Sequence, residues 1–142
     1  FHTGFNLECI SEFQKYTGNA EFSTNLSKGL EYYVSNFFTE QGQSKYYNDT
    51  IYPIDIHAPA QLIVTLVRMG KLEEHLSLGN RVLDWTIRNM QDKRGYFYYQ
   101  QKKMSVQKFP TCVGRRRGCF FASPAILPRL RKHNGKTKSQ LV

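Results

Sequence analysis

The sequence predicts an all-α fold built from antiparallel helical hairpins, with a small β-hairpin near 96–109. Three observations carry this reading. Apolar residues recur at helical spacing in four stretches. Glycine turns separate those stretches. Landmarks of the first half return about 52 residues later in the second.

Gly4 to Tyr16 reads as the first helix, with Phe5, Cys9, Ile10 and Phe13 at helical spacing. Gly18 suits the left-handed cap that ends it. Asn25 or Ser27 starts a second helix, whose apolar face is Leu26, Leu30, Tyr33, Val34, Phe37 and Phe38. Gln41-Gly42 turns the chain, and Tyr46-Tyr47 follows. Pro53 and Pro59 then exclude a regular helix across the stretch that holds Asp55 and His57. A third helix runs from Ala58 to Met69 on Leu62, Ile63, Leu66 and Val67, and Gly70 stops it. A fourth runs from Leu72 to Met90 on Leu76, Val82, Leu83, Trp85, Thr86 and Met90. Gly79 weakens its middle by about 1 kcal/mol relative to alanine. Lys93-Arg94-Gly95 is a turn, Tyr96 to Tyr99 reads as a strand, and Met104 to Phe109 pairs with it.

The landmarks define a repeat. Gly18 and Gly70 stand 52 residues apart, as do Tyr46-Tyr47 and Tyr98-Tyr99; Asn36 and Asn89 stand 53 apart, as do Gly42 and Gly95. Each unit is helix, glycine turn, helix, asparagine, glycine turn, aromatic pair. Such periods signal stacked helical hairpins, and two units leave open faces, so a larger array is expected.

Composition narrows the class. The 142 residues suit one domain or part of one, and 40% hydrophobic content suffices for a core. No apolar run is long enough for a membrane span, and no signal peptide is visible. The start at Phe1 is core-like and reads as truncated. The net charge of +9 is uneven. Through Phe109 the chain has 12 basic and 11 acidic residues; from Pro110 onward it has 8 basic and none acidic. Three cysteines (Cys9, Cys112 and Cys119) make no disulfide framework or zinc pattern, and a reducing, cytoplasmic setting is expected. His2, His57, His75 and His133 are too scattered for a metal set, and no P-loop, dinucleotide fingerprint or nucleophile elbow is present. No cofactor is expected.

The chemistry centres on Tyr52-Pro53-Ile54-Asp55-Ile56-His57-Ala58-Pro59-Ala60-Gln61. It places a carboxylate and an imidazole at a helix N-terminus, beside aromatic residues, where they can bind a polar ligand or move a proton. The same pair equally suits a structural role, with Asp55 capping the helix and His57 bonding a neighbouring loop. If the hairpins close into a ring, first-helix N-termini open on one face, and His2, Asn6, Asp55, His57 and Gln61 converge there. Tyr46, Tyr47, Tyr52, Tyr98 and Tyr99 then line a rim whose rings can stack on sugars. Simple packing also accounts for those tyrosines.

Four runs resemble bacterial α/α-toroid proteins. They are His2 to Cys9 (His-Thr-Gly-Phe-Asn-Leu-Glu-Cys), Asn36 to Glu40 (Asn-Phe-Phe-Thr-Glu), Lys45 to Tyr47 (Lys-Tyr-Tyr) and Tyr52 to Gln61. The resemblance is to the six-hairpin glycosidase and sugar-epimerase architecture that accompanies polysaccharide biosynthesis, and covers about residues 1–110. It implies a carbohydrate-directed protein, and for an enzyme a glycoside hydrolase- or epimerase-like one. By position it makes Asp55 the proton donor or sugar ligand and His57 the base or orienting group. His2, Asn6, Gln61, Tyr46, Tyr47 and Tyr52 would hold hydroxyls and ring faces. The alternative is a non-catalytic helical-repeat module that binds glycan or protein through the same face.

The resemblance breaks after Pro110. The family continues there with a Trp-rich helix near Pro-Tyr-Met-Arg-Trp, whereas residues 111–142 lose periodicity and acids together. Such a segment is expected to be disordered. Two readings of its origin stay open. Arg115, Arg116, Arg117, Arg129, Arg131, Lys132, Lys136 and Lys138 can form a genuine tail for nucleic acid or anionic lipid. Alternatively the reading frame has shifted: one permitted back-translation, read one base earlier, gives an amphipathic helix beginning Tyr-Met-Arg-Trp. Sequencing across the Pro110 codon separates the two. The shifted-frame reading expects a neighbouring frame that encodes the helix, and fails if none does.

Overall fold

A computed structural model describes residues 1–110, and the expectations for 111–142 lie outside the described residues. The chain is mostly helical. Its helices are α1 (His2–Thr17), α2 (Ser23–Asn36), α3 (His57–Arg68) and α4 (Leu76–Met90). A small antiparallel sheet has the order β1 (Ile54–Asp55), β2 (Tyr98–Lys102), β3 (Ser105–Pro110). The β2–β3 hairpin is the one the sequence predicts. β1 is an addition: Ile54 pairs with Gln101 and Asp55 with Gln100. Two residues are too few for strand periodicity to show.

The helix starts differ from the sequence reading. α1 begins at His2 rather than Gly4, and α3 at His57 rather than Ala58. Pro59 does not exclude helix at His57, because it sits in the first turn of α3, where its missing N–H has no intrahelical partner to lose. α2 begins at Ser23, where the hydroxyl donates to the Ala20 carbonyl at 2.8 Å and the Leu26 N–H donates to the Phe22 carbonyl at 2.8 Å. Asn25 and Ser27 are therefore interior and exposed. α4 begins at Leu76 rather than Leu72. The end of α3 explains the delay. Gly70 turns left-handed and the Lys71 N–H reaches back to the Leu66 carbonyl at 2.8 Å, a wrapped helix end. Leu72 then joins the core from a turn, not from a helix.

The repeat holds in hydrogen-bonding detail. The Thr39 N–H donates to the Gln43 carbonyl and the Gly42 N–H to the Thr39 carbonyl, both at 2.9 Å. Fifty-three residues on, the Asp92 N–H donates to the Tyr96 carbonyl and the Gly95 N–H to the Asp92 carbonyl, both at 2.8 Å. Phe38 bridges Ser44 as Gln91 bridges Phe97. The Asn36 amide donates to the Tyr32 carbonyl at 2.9 Å, and the Asn89 amide to the Trp85 carbonyl at 2.8 Å. Each asparagine closes the last turn of its helix by bonding four residues back.

The core joins both units: Leu7 of α1, Leu26, Leu30 and Tyr33 of α2, Leu62 and Leu66 of α3, Val82 of α4, with Phe38 and Leu72 from the connections. α1 packs on α2 and on α3, and α3 packs on α4. The buried face of α1 is a correction to the sequence reading. Gly4, Leu7 and Glu8 are buried, whereas Phe5, Cys9, Ile10 and Phe13 are exposed. Gly4 lets α3 approach closely: a Cβ there would lie 2.8 Å from Thr65 Oγ1 and 2.9 Å from the Tyr33 hydroxyl. Glu8 is tolerated at this crossing because Gln61 Nε2 donates to its carboxylate at 3.0 Å and the Arg68 guanidinium pairs with it. Residue spacing alone favours the aromatic stripe; the pairing of a small residue with a compensated carboxylate wins.

Gly42 locks the first unit onto the second. Its φ is 88°, and a Cβ there would lie 2.3 Å from the Arg81 carbonyl oxygen. Gly18 has a similar φ of 69° with open space around it. Gly18→Ala should therefore cost only the left-handed penalty of about 1–2 kcal/mol. Gly42→Ala adds a backbone clash and is expected to cost at least twice as much in chemical denaturation. Equal losses for the two variants would contradict the close packing of this turn on α4.

Candidate functional site

β1 positions the site. Its two residues pair with β2, and the Ile56 N–H donates to the Tyr99 carbonyl at 3.1 Å, so the chain is held on both sides of Asp55 as it enters α3. Oδ1 of Asp55 accepts the His57 backbone N–H at 2.9 Å. The same oxygen lies 2.7 Å from Nδ1 of the His57 ring. A carboxylate at this end also suits the positive end of the α3 dipole. The pair is asymmetric: the Asp55 side chain is 7% exposed and that of His57 60%. Asp55 is an anchored, buried acceptor, and His57 presents its ring outward.

The hydrogen bond to Asp55 raises the His57 pKa above its usual 6.5, against the opposing effect of burial. With Nδ1 directed to the carboxylate, the neutral ring carries its proton there and leaves Nε2 as an acceptor. This is the arrangement in which an imidazole takes a proton from a ligand and the carboxylate steadies the resulting cation. Two aromatic rings flank it: Phe1 at 5.7 Å and Tyr99 at 5.9 Å between centroids.

A cleft of about 260 Å³ opens beside the pair. Phe1, His2, Lys45, Tyr46, Tyr47 and Asp55 are among its lining residues. The structure thus brings together His2, Tyr46, Tyr47 and Asp55 from the sequence-derived set. His57 joins them through Asp55 and the Phe1 ring. Three others lie elsewhere. Asn6 is exposed on α1 and does not line the cleft. Tyr52 is part-buried before a cis Pro53 and does not line it either. Gln61 directs its amide to Glu8 and to Thr65 Oγ1 at 3.1 Å, which makes it part of the α1–α3 contact.

Sequence reasoning missed Lys45 and Phe1. Lys45 stands directly before the tyrosine pair, and its ammonium donates to the Asn48 carbonyl at 3.0 Å. Its place in the Lys45-Tyr46-Tyr47 run was the available signal. The Tyr46 and Tyr47 rings meet edge to face at 4.8 Å, so they form a corner, not a flat platform. Tyr98 is held by its own turn, donating its hydroxyl to Asp92 at 2.7 Å. Among the described residues no group of three His, Cys, Asp or Glu side chains is placed to hold a metal ion. No described helix is long and apolar enough to cross a membrane.

Compared with protein-family models, curated proteins and solved structures, the chain finds no match. The functional reading rests on this geometry and on the residues that build it.

The Asp55–His57 bond fixes the pH response. His57 gains its partner on folding, so its raised pKa makes a contribution to stability that is complete below 6.5 and is lost as pH rises through the folded-state value. NMR titration of the His57 ring is expected to show a midpoint above 6.5, moving down in Asp55→Asn. A midpoint at or below 6.5 that ignores this substitution would contradict the pairing.

Proposed function

We propose that this chain belongs to a carbohydrate-directed protein of the α/α-toroid kind, acting on or binding a polysaccharide or its precursor during envelope polysaccharide synthesis. The observation that carries the reading is a buried carboxylate, bonded to an outward imidazole, on an aromatic-lined cleft at a helix N-terminus. Sugars present hydroxyls to polar groups and C–H faces to rings. Asp55, Lys45 and His2 offer the first kind of contact and Tyr46 and Tyr47 the second. The internal repeat supports the toroid part of the proposal, since stacked hairpins of equal build are its structural unit.

In the catalytic form, His57 moves the proton and Asp55 orients and charges it. This assignment places proton transfer on His57, because Asp55 already uses one oxygen for both the helix start and the imidazole. In the non-catalytic form, the same cleft holds a glycan and the Asp55 bond to the His57 N–H only shapes the start of α3. That bond needs no substrate to explain it, which favours this second reading. Carbohydrate is the partner in both forms.

Calorimetric titration with envelope oligosaccharides, with turnover followed in parallel, tests the proposal. Tyr47→Ala is expected to weaken binding about tenfold, the loss of one good aromatic contact. His57→Ala is expected to lower any turnover by about 10²–10⁴-fold while binding survives. Binding without turnover would select the non-catalytic form. Absence of binding to any neutral or acidic glycan would overturn both.

A further inference from the structure

The cleft beside Asp55 carries an unbalanced charge. Among the described residues that line it, Asp55 is the acidic side chain and Lys45 the lysine. The Asp55 charge is already answered. One of its oxygens takes both the His57 backbone N–H and the His57 ring at the start of α3, and its side chain is 7% exposed.

Lys45 has no such partner. Its ammonium donates to the Asn48 carbonyl at 3.0 Å, which is a neutral acceptor. An ammonium has three N–H donors, and this bond uses one. Among the described residues no carboxylate lies within ion-pair distance of it. Asp49 of the same loop accepts the Thr50 hydroxyl at 2.9 Å and does not line the cleft.

The half-buried lysine is also held in place. Its N–H donates to the Phe37 carbonyl at 2.9 Å, and Ser44 before it is buried and bridged to Phe38. The Tyr46 and Tyr47 N–H groups donate to the Thr50 carbonyl at 2.9 and 3.0 Å, which closes the loop that carries Asn48. A cation fixed in advance loses little freedom when a ligand arrives. A neutral sugar filling the cleft would strip water from the ammonium without supplying a counter-charge. A carboxylate or phosphate supplies one, through hydrogen bonds about twice as strong as neutral ones.

We infer that the saccharide taken by this cleft is acidic. Its carboxylate or phosphate oxyanion is received by the Lys45 ammonium, on the sugar unit that rests against the Tyr46–Tyr47 corner. This assignment rests on the carbohydrate reading of the same cleft and adds the ligand's charge to it. Lys45 is then the residue that sets specificity, while the Asp55–His57 pair serves whichever sugar is bound.

NMR titration of the 142-residue chain with matched ligands tests it. Methyl glycosides of glucuronate, galacturonate and mannuronate are each compared with the neutral parent glycoside, and with the 1-phosphate of the same sugar. At least one acidic member is expected to bind tenfold or more tightly than its neutral parent, and the two acidic series tell carboxylate from phosphate. Raising the salt from about 50 to about 500 mM should shrink that preference. Lys45→Gln should bring the acidic-to-neutral ratio close to one, and Lys45→Arg, which keeps the charge, should retain most of it. Lys45→Met serves if Lys45→Gln loses its helical circular dichroism. Equal binding of acidic and neutral sugars would overturn this assignment and leave the carbohydrate reading standing. An acidic preference that survives Lys45→Gln would also overturn it. Binding by none of these sugars would overturn both.

Discussion

The close crossing of α1 over α3 is the constraint on which the rest depends. It requires a residue without a side chain at Gly4, because Thr65 and the Tyr33 hydroxyl occupy the space a Cβ would take. It also places the Glu8 carboxylate where water is largely excluded, so that Gln61 and Arg68 must satisfy it. Tyr33 comes in from α2, and its burial raises the phenol's pKa well above the usual 10. Three helices are thereby fixed to one another at one point. The α3 N-terminus and the start of α1, which together build the cleft, inherit that registration.

From this point the site follows by short connections. β1 ties the entrance of α3 to β2, and the pairing brings Tyr99 to His57. The equivalent segment after the first unit carries Lys45, Tyr46 and Tyr47 to the cleft. Tyr46 and Tyr47 of the first unit thus line the cleft with Asp55, and Tyr99 of the second meets the His57 ring.

Much of this was legible in the residues, and the exceptions have physical causes. Helical periodicity and glycine turns were strong enough to place four helices, the hairpin and the repeat. Asp55 and His57 stood out because two prolines flank them, although His57 is the first residue of α3 and Pro59 lies in its first turn. The buried side of α1 was not legible. Apolar spacing pointed to Phe5, Cys9 and Phe13, while the contact is made by Gly4 and Glu8, residue types that hydrophobicity ranks last. The role of Gln61 was hidden for the same reason, since its partner lies 53 residues away in sequence. Lys45 was passed over because its run was read for the two tyrosine rings and not for the ammonium beside them. β1 was too short to declare itself.

The central claim is that the cleft beside Asp55 and His57 receives a sugar. Saturation-transfer NMR with envelope polysaccharide fragments addresses it most directly, because it reports contact whether or not chemistry follows. The account predicts transfer to sugar C–H faces, accompanied by shifts of the Tyr46, Tyr47 and His57 ring signals. Absence of transfer, or transfer with those three rings unmoved, would contradict it.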